Sequence, residues 1–404
     1  MIHDADVVVI GSGGLGAATA FYLSRDGSRH VALLDRHDLS SQTSPRAAGL
    51  VSHARSTDFM VELVRIAAAN IKRFAEDTGQ PLDWTQSGSL KAARRAEDVT
   101  VLEGETERAS RLGVEAALIS ADEAHRLNPF LHPEGVVAVA RIGDDLYFDP
   151  TQVAIGFARG AETRGATLLP HTEVTRVQIE NERVVGVECD VGTIRTPVVV
   201  DAAGAWTRQV AEASGIGVPI VPTRHQLFVT ESLPGVRADL PIVRIVDAAV
   251  YVRPCDGGLL WGVFEEAPRQ FEMDALGPRF QIAHLELDAE VLRRAAEDVR
   301  LQVPALRDAN VREHRGGLPT MTADAQHIVG PAPGAEGFFI AGGCNVAGLS
   351  ISPAIGEVLA TWILDGEPPL DLTPLSIERF RDPPSEERLR REAAWQYRHF
   401  YTSA

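Results

Sequence analysis

Residues 11–16 combine glycines in a spacing that suits the binding of a dinucleotide. The run reads Gly-Ser-Gly-Gly-Leu-Gly and lies between an apolar segment, 7–10, and a helix-forming segment of small residues. These glycines permit a tight turn and the close approach of a pyrophosphate, and the helix N-terminus supplies amide donors and a positive dipole end. Asp35 ends the next apolar run, where a carboxylate accepts hydrogen bonds from both ribose hydroxyls and disfavours NADP. The predicted contacts of this unit are Gly11, Ser12, Gly13, Gly14, Leu15, Gly16, Asp35 and Arg36.

Two further glycine-rich turns follow buried apolar runs at distant points of the chain. They span residues 201–206 and 342–350. A loosely bound nicotinamide needs only the first turn, whereas three turns fit an elongated cofactor that is enclosed at its flavin end. The sequence therefore favours FAD over NAD. The predicted contacts in these regions are Val174, Ala203, Gly204, Trp206, Gly343, Asn345, Val346, Ala347, Gly348, Leu349 and Ser350.

The patterns around these turns predict the elements that hold them. Apolar runs at 7–10 and 31–34, with the helix between them, form a β-α-β unit. The stretch 174–200 is typical of a small antiparallel meander, and 222–262 alternates as a mostly antiparallel sheet does. Further predictions are helices at 60–74, 286–303 and 355–364, a strand at 337–341, and an amphipathic helix at 379–391 whose buried stripe is Leu389, Ala393 and Tyr397.

The glycine turns lie at the beginning, middle and end of the chain, so the nucleotide-binding part is predicted to be discontinuous. The predicted fold class is α/β plus α+β, a Rossmann-like FAD-binding domain with a mostly antiparallel-sheet substrate domain. The predicted divisions are 1–85, 145–221 and 318–370 for the FAD-binding domain, 86–144 and 222–317 for the substrate domain, and 371–404 for a C-terminal helical arm.

Composition restricts the function classes. The 404 residues carry a formal net charge of −17, which repels nucleic acid and anionic membranes. No apolar run reaches the ~18 residues of a membrane span, and the N-terminus lacks the basic region of a secretion signal. Cys189, Cys255 and Cys344 lie too far apart for a disulfide framework or a metal site. We therefore expect a cytoplasmic protein with no nucleic-acid or membrane partner and no bound metal.

The glycine turns, together with the stretches 44–51 and 353–357, resemble the D-amino-acid oxidase superfamily of flavoproteins over nearly the whole chain. Residues 224–226, the loop 345–348 and the aromatic tail 395–401 are most similar to the flavin domain of sarcosine and dimethylglycine dehydrogenases and to sarcosine oxidase beta subunits. The resemblance implies an FAD buried between two domains, with the loop 343–350 facing the flavin pyrimidine ring. The site residues that it adds beside the flavin are Thr43, Ser44, Arg46, Ala48, Gly49 and Leu50.

Four positions depart from the pattern of these relatives. The mammalian-type dehydrogenases attach FAD to the histidine of a Trp-His pair, where this sequence has Pro45-Arg46, and monomeric sarcosine oxidases use a cysteine where it has Gly317. We therefore expect noncovalent FAD. The lysines that sarcosine oxidases use for oxygen and for the substrate carboxylate correspond to Leu260 and Ser350. The electron acceptor and the carboxylate anchor stay open.

Four polar residues are candidates for chemistry, each with a structural alternative. Arg46 stabilises reduced flavin or binds a carboxylate, or else forms a surface ion pair. Tyr251 and Arg253 share one face of a predicted strand, which is either a cavity wall, with Arg253 as a carboxylate clamp, or a solvent face. His225 is either a base that titrates near neutrality and keeps the amine neutral, or a hydrogen-bonded structural residue.

The function that the resemblance implies is oxidation of a C–N bond in a small amine or amino acid, by hydride transfer to flavin N5 and hydrolysis of the imine. The leading substrates are secondary or tertiary N-methyl amines, of the sarcosine or dimethylglycine kind. The alternatives are a glycine or D-amino-acid oxidoreductase, a flavin-bearing subunit that is inactive without its partner chains, and a nicotinamide-dependent dehydrogenase. The related dehydrogenases carry a C-terminal folate-binding domain; the sequence ends at residue 404, so we expect no such domain and the release of formaldehyde. A partner subunit or an electron-acceptor protein is a further expectation.

Overall fold

The computed structural model describes residues 2–402, and the elements below are numbered in chain order within that range. The strands are β1 Val7–Ile10, β2 Val31–Leu34, β3 Leu50–Val51, β4 Trp84–Thr85, β5 Ser89–Ala93, β6 Ala116–Ile119, β7 Ala138–Ile142, β8 Leu146–Phe148, β9 Thr167–Leu169, β10 Val174–Glu180, β11 Arg183–Cys189, β12 Gly192–Arg195, β13 Val198–Asp201, β14 Val221–Pro222, β15 His225–Thr230, β16 Ile242–Ile245, β17 Val250–Cys255, β18 Gly258–Val263, β19 Val311–Gly317, β20 Thr320–Met321, β21 Ile328–Pro331 and β22 Phe338–Gly342. The α-helices are α1 Gly14–Leu23, α2 Asp58–Lys72, α3 Phe74–Thr78, α4 Ala96–Arg111, α5 Ala121–Leu127, α6 Pro150–Thr163, α7 Thr207–Glu212, α8 Ala289–Asp298, α9 Ala305–Asp308, α10 Gly348–Asp365 and α11 Glu386–Arg398.

A six-stranded sheet, in the order β21-β22-β13-β1-β2-β9, carries the glycine turns. Its pairings are parallel except for β21 with β22. The continuous apolar run of β1 is buried on both faces, since Val7 and Val9 pack in one core cluster and Val8 and Ile10 pack in another. Helices α1, α6 and α10 lie against the first of these clusters. A parallel sheet covered on both faces needs such continuous hydrophobic strands.

An eight-stranded sheet, in the order β19-β15-β18-β17-β16-β5-β7-β6, forms the second large layer. Its pairings are antiparallel except for β16 with β5. The strands of the six-stranded sheet fall in the ranges predicted for the FAD-binding domain, and those of the eight-stranded sheet fall in the ranges predicted for the substrate domain. The division into domains itself stays a prediction. The meander that was predicted at 174–200 is the antiparallel sheet β10-β11-β12.

Two predicted helices differ in their limits from the structure. Helix α10 begins at Gly348 rather than at 355 and therefore contains Pro353. Proline cannot donate to the carbonyl of Leu349, but the Ser352 hydroxyl donates to that carbonyl at 2.9 Å and replaces the missing bond. Helix α11 covers 386–398 rather than 379–391, because two prolines at 383 and 384 precede its N-cap, Ser385.

A third predicted helix is shorter in the structure, whereas the buried stripe of the C-terminal arm agrees with the prediction. The stripe predicted for the C-terminal arm, Leu389, Ala393 and Tyr397, is buried. Helix α8 covers only 289–298 of the predicted 286–303, and its Asp288 side chain caps the N-terminus by accepting from Glu290. Among the described residues, no helix combines the length and the apolar character that a membrane crossing requires.

Candidate active site

Two adjoining cavities lie at the carboxyl edge of the six-stranded sheet. Their volumes are about 490 Å³ and about 280 Å³, and residues such as Gly13, Ser44 and Ala202 line both. We call the larger one, which contains Asp35 and Trp206, the nucleotide cavity, and the smaller one the inner cavity. Open parallel sheets bind their ligands at this edge, because the strand ends and the helix N-termini converge there.

A fixed carboxylate marks the nucleotide cavity. One oxygen of Asp35 accepts hydrogen bonds from the backbone N–H and the hydroxyl of Ser12, at 2.8 and 2.6 Å, and the other accepts from the N–H of His37 at 2.8 Å. The Arg36 guanidinium lies 5.6 Å from the centre of the Trp206 ring. Since a carboxylate has about four lone-pair sites, Asp35 retains acceptor capacity for ribose hydroxyls.

The glycine turn between β1 and α1 is closed by direct backbone contact. A Cβ atom at Gly16 would lie 1.9 Å from the carbonyl oxygen of Gly11, so only glycine fits there. The Ser44 hydroxyl accepts a hydrogen bond from the N–H of Gly14 at 2.9 Å, which ties the stretch 44–51 to the start of α1. Gly13 at this helix N-terminus lines both cavities, so a pyrophosphate bound here would lie between them, as an elongated dinucleotide requires.

The third glycine turn brings a second helix N-terminus to the inner cavity. Asn345 and Val346 have left-handed backbone angles, with φ of 44° and 62°. The Asn345 side chain holds this conformation by accepting from the N–H of Thr322 at 3.0 Å and donating to the carbonyl of Gly343 at 2.6 Å. Helix α10 starts three residues after Asn345, so its positive end favours negative charge in the cavity. These residues fit the flavin end of FAD.

Arg46 lines the inner cavity, and its guanidinium donates to the backbone carbonyls of Ser41 and Gln42. Burial, followed by the nearby charge of Arg315, lowers its pKa. Gly317 also lines this cavity. Neither position carries a side chain that can attach covalently to a flavin.

A row of polar side chains crosses the eight-stranded sheet and faces the inner cavity. Lys91 in β5 pairs with Arg244 in β16, and Arg244 pairs with Tyr251 in β17. Directly paired residues point to the same face of a sheet, and all three line the cavity. Glu105 forms an ion pair with Lys91, and Asp145 forms one with Arg244 at 3.1 Å. These two cations are therefore neutralised by the protein.

Arg55 is a cation of the inner cavity for which the described residues offer no ion-pair partner. Its Nε donates to the carbonyl of Ser52 at 2.9 Å, and burial followed by the charge of Arg244 lowers its pKa. His327 lines the same cavity, is 1% exposed, and has no hydrogen-bond partner at either ring nitrogen within residues 2–402. Burial, and then the charge of Arg55, lower the pKa of His327 to about 3, so this imidazole is neutral.

Aromatic side chains from the C-terminal arm complete the cavity. Phe264 and Phe400 stack with ring centres 4.3 Å apart, and Tyr401 meets Phe264 edge-on at 5.4 Å. Tyr251 lies 6.3 Å from Phe264. All four rings line the inner cavity, and we call them the aromatic wall.

Most rings of the aromatic wall were not predicted as site residues from the sequence. The same is true of Lys91, Arg244, Arg55 and His327. Lys91 and Arg244 are charged residues inside buried strands, which was the available signal. Arg55 and His327 lie in irregular segments and gave no such signal.

His225 corrects one prediction. Its Nδ1 lies 2.7 Å from the Tyr397 hydroxyl and its Nε2 lies 2.9 Å from the Tyr251 hydroxyl. Burial lowers the pKa of His225 to about 3, so the expected titration near neutrality was wrong. The neutral ring has both nitrogens occupied and is unsuited to taking a proton from an ammonium group.

Arg253 corrects another prediction. It is 5% exposed and shares the face of Tyr251, as alternation predicted, but it does not line either cavity. Its Nε donates to the carbonyl of Ala48 at 2.7 Å, and its guanidinium lies 4.8 Å from the centre of the Tyr147 ring. Arg253 therefore supports the backbone beside the flavin position and does not act as a carboxylate clamp.

The structure brings most of the predicted contacts to the two cavities. Those at the nucleotide cavity are Gly11, Gly13, Asp35, Arg36, Thr43, Ser44, Val174, Ala203, Gly204 and Trp206. Those at the inner cavity include Gly14, Leu15, Arg46, Ala48, Gly49, Leu50, Asn345, Val346, Ala347, Gly348, Leu349, Ser350, His225 and Tyr251. The remaining three, Ser12, Gly16 and Gly343, do not line either cavity but contact residues that do. In the described part of the chain, no group of three or more His, Cys, Asp or Glu side chains could hold a metal ion.

Several proteins are similar to this chain in sequence or in fold. Mitochondrial sarcosine dehydrogenase of Homo sapiens is 32% identical over 382 residues, which are 93% of this chain and 41% of that protein. The 4-methylaminobutanoate oxidase (formaldehyde-forming) of Paenarthrobacter nicotinovorans is 31% identical over 381 residues, 92% of this chain and 45% of that protein. The chain thus spans less than half the length of these curated relatives. The crystal structure of L-proline dehydrogenase from P. horikoshii superposes with a TM-score of 0.85 at 26% identity, covering 95% of this chain and 99% of that one.

Family membership follows from the extent of the match. Residues 6–362 match the family described as "DAO: FAD dependent oxidoreductase". The predicted resemblance, the predicted fold class and FAD as the cofactor are thereby confirmed. The chain belongs to the DAO family of FAD-dependent oxidoreductases.

Proposed function

We propose that this protein oxidises the C–N bond of a small secondary or tertiary amino acid of the N-methyl kind, and that the product imine is then hydrolysed. The named relatives support this reading, because sarcosine, 4-methylaminobutanoate and proline are all secondary amines that carry a carboxylate. Bound FAD supplies the two-electron acceptor for this reaction. The protein has to bind the carboxylate, orient the C–H bond and exclude water.

The single observation that carries the proposal is the guanidinium of Arg55, which has no ion-pair partner among residues 2–402 and lines the same cavity as the aromatic wall. A partly buried cation without a carboxylate partner is costly, and a substrate carboxylate supplies the missing charge. His327 can donate a further hydrogen bond from its free ring N–H. This pair replaces the lysine that the sequence lacks at Ser350.

The aromatic wall suits the other end of such a substrate. Ring faces attract alkylated ammonium groups and pack against N-methyl carbons. The neighbouring acidic side chains, Glu105 and Asp145, are already paired with Lys91 and Arg244, so they offer no strong competing site for the amine. A small zwitterion therefore binds with its carboxylate at Arg55 and its alkylated nitrogen at the rings.

An anaerobic titration of the purified flavoprotein tests the proposal. Sarcosine, dimethylglycine, 4-methylaminobutanoate and proline are added in turn, and loss of the flavin absorbance reports reduction. We expect at least one of these amines to bleach the flavin and glycine and D-alanine to leave it oxidised. Bleaching by glycine or D-alanine alone would contradict the proposal. Mixing the reduced protein with air then separates an oxidase from a dehydrogenase that needs another acceptor.

We also predict that FAD is held without a covalent bond, because positions 46 and 317 carry arginine and glycine. Acid precipitation of the yellow protein should leave a colourless pellet, with the flavin absorbance recovered in the supernatant. A pellet that keeps its colour after washing, or a tryptic peptide with the mass of a flavin adduct, would overturn this prediction.

A further inference from the structure

Three side chains from separate parts of the chain form one hydrogen-bonded line that ends at the inner cavity. Tyr397 in α11 contacts Nδ1 of His225 at 2.7 Å, and Nε2 of His225 contacts Tyr251 in β17 at 2.9 Å. Tyr397 is 0% exposed and does not line the cavity, whereas Tyr251 does. The C-terminal arm is thus connected to the active site through the imidazole.

The direction of each hydrogen bond follows from the number of protons available. His225 is neutral, so one of its nitrogens donates and the other accepts. The Tyr397 hydroxyl lies close enough to Nδ1 to donate its proton to that nitrogen. The two distances agree, since O–H donors make shorter contacts than N–H donors. Nε2 therefore carries the proton and donates to Tyr251.

The Tyr251 hydroxyl proton then has no acceptor among residues 2–402 and is free to point into the inner cavity. Its position depends on Gly262, which lies opposite in β18. A Cβ atom at Gly262 would be 2.3 Å from the Tyr251 hydroxyl oxygen. The glycine therefore leaves the space that the hydroxyl occupies.

We propose that Tyr397 is a positioning residue that, through His225, fixes Tyr251 as a hydrogen-bond donor to a carboxylate in the inner cavity. The identity of this acceptor rests on the proposed function, because a carboxylate oxygen is the part of such a substrate that accepts hydrogen bonds strongly. The direction of the hydrogen bonds from Tyr397 through His225 to Tyr251 does not depend on the proposed function. Without the Tyr397 hydroxyl, His225 can adopt the opposite tautomer, and Tyr251 must then donate its proton to Nε2 instead of to the ligand.

The first test measures the tautomer directly. The protein is labelled with ¹⁵N-histidine, and the His225 signal is assigned with the His225→Gln variant. We expect the wild type to carry its proton on Nε2 and the Tyr397→Phe variant to shift toward the Nδ1 tautomer. A wild type protonated on Nδ1, or a variant with an unchanged tautomer, would refute the proposal whether or not any amine is a substrate.

The second test measures binding of methoxyacetate, a carboxylate that carries no amine to oxidise, by the change in flavin absorbance of the holoenzyme. We expect Tyr251→Phe to raise its Kd by about 10- to 100-fold, as for hydrogen bonds to charged groups. Tyr397→Phe should raise it by about 2- to 10-fold. The neutral methoxyacetamide should bind the three proteins alike.

Tyr22→Phe is the matched control, because Tyr22 lies in α1 and lines neither cavity. It should leave the Kd of methoxyacetate unchanged. The proposal fails if Tyr397→Phe behaves like this control, or if methoxyacetate does not bind the wild type. Retained methoxyacetate binding and the expected tautomer, with no amine that reduces the flavin, would contradict the proposed function alone.

Discussion

Replacing Arg55 with methionine is expected to lower kcat/KM for N-methyl amino acids by about 100- to 1000-fold. Truncating one partner of a largely desolvated, hydrogen-bonded charge pair costs about 3–4 kcal/mol, which gives this range. KM should account for most of the change, because the guanidinium contacts the carboxylate and not the reacting C–H bond. The measurement is steady-state kinetics of the holoenzyme with an artificial electron acceptor.

A structural role for Arg55 would give a different pattern. Methionine removes a partly buried cation that has no ion-pair partner among residues 2–402, so the free energy of unfolding of the variant should be equal to or greater than that of the wild type. The variant should also oxidise an amine without a carboxylate, such as N-methylpropylamine, as fast as the wild type does. Equal losses for amines with and without the carboxylate would contradict the assignment. Arg183→Met, at an exposed ion pair with Glu336, is the control and should change neither quantity.

The cofactor-binding half of the site could be predicted from sequence because its information is local. The six consecutive residues 11–16 provide the tight turn, the positive end of the helix dipole and the close packing of the helix. The carboxylate for the ribose, Asp35, follows the very next strand. Such short spacings fix the geometry without knowledge of the rest of the fold. Ser12 was predicted as a cofactor contact, whereas in the structure it holds Asp35, because β1 and β2 are neighbours and their ends meet.

The substrate half could not be predicted because its residues meet only through strand register. Lys91 is far from Arg244 and Tyr251 in sequence, and only the pairing of β5, β16 and β17 sets the three in a row. A register shifted by one residue would turn each of these side chains to the opposite face. The charges of Lys91 and Arg244 were visible in the sequence, but their pairing with Glu105 and Asp145 was not. With those two cations paired, Arg46 and Arg55 are the arginines of the inner cavity that have no ion-pair partner among the described residues.

His225 and Arg253 show how burial changes the role of a correctly located residue. Alternation placed Arg253 on the face of Tyr251, yet a carbonyl at Ala48 and the ring of Tyr147 hold its guanidinium away from the cavity. His225 does line the cavity, but two tyrosine hydroxyls occupy its nitrogens. In each case the side chain is satisfied by protein groups. We therefore propose that ligand binding falls to Arg55, which has no ion-pair partner in the described part of the chain, and to His327, whose ring nitrogens have no hydrogen-bond partner there.

Replacing Gly16 with alanine is expected to weaken FAD binding by about 100-fold. The new Cβ would lie 1.9 Å from the carbonyl oxygen of Gly11, and because that atom belongs to the backbone, no side-chain rotation relieves the contact. Overpacking of this kind costs about 1–3 kcal/mol or more, and here the strain falls on the turn that receives the pyrophosphate. The ratio of flavin to protein absorbance in the purified variant, and titration of the apoprotein with FAD, give the measurement.

Gly104→Ala is the matched control for this change. Gly104 lies in α4, is exposed, and has no atom within 4 Å of an added Cβ. Alanine there should keep the FAD affinity and stabilise the helix by up to about 1 kcal/mol. A Gly16→Ala protein that folds and binds FAD like the Gly104→Ala protein would show that the first glycine turn does not hold the cofactor. A variant that folds as apoprotein, with an unfolding midpoint that FAD no longer raises, would place the loss at the turn itself, because ligands stabilise only the state that binds them.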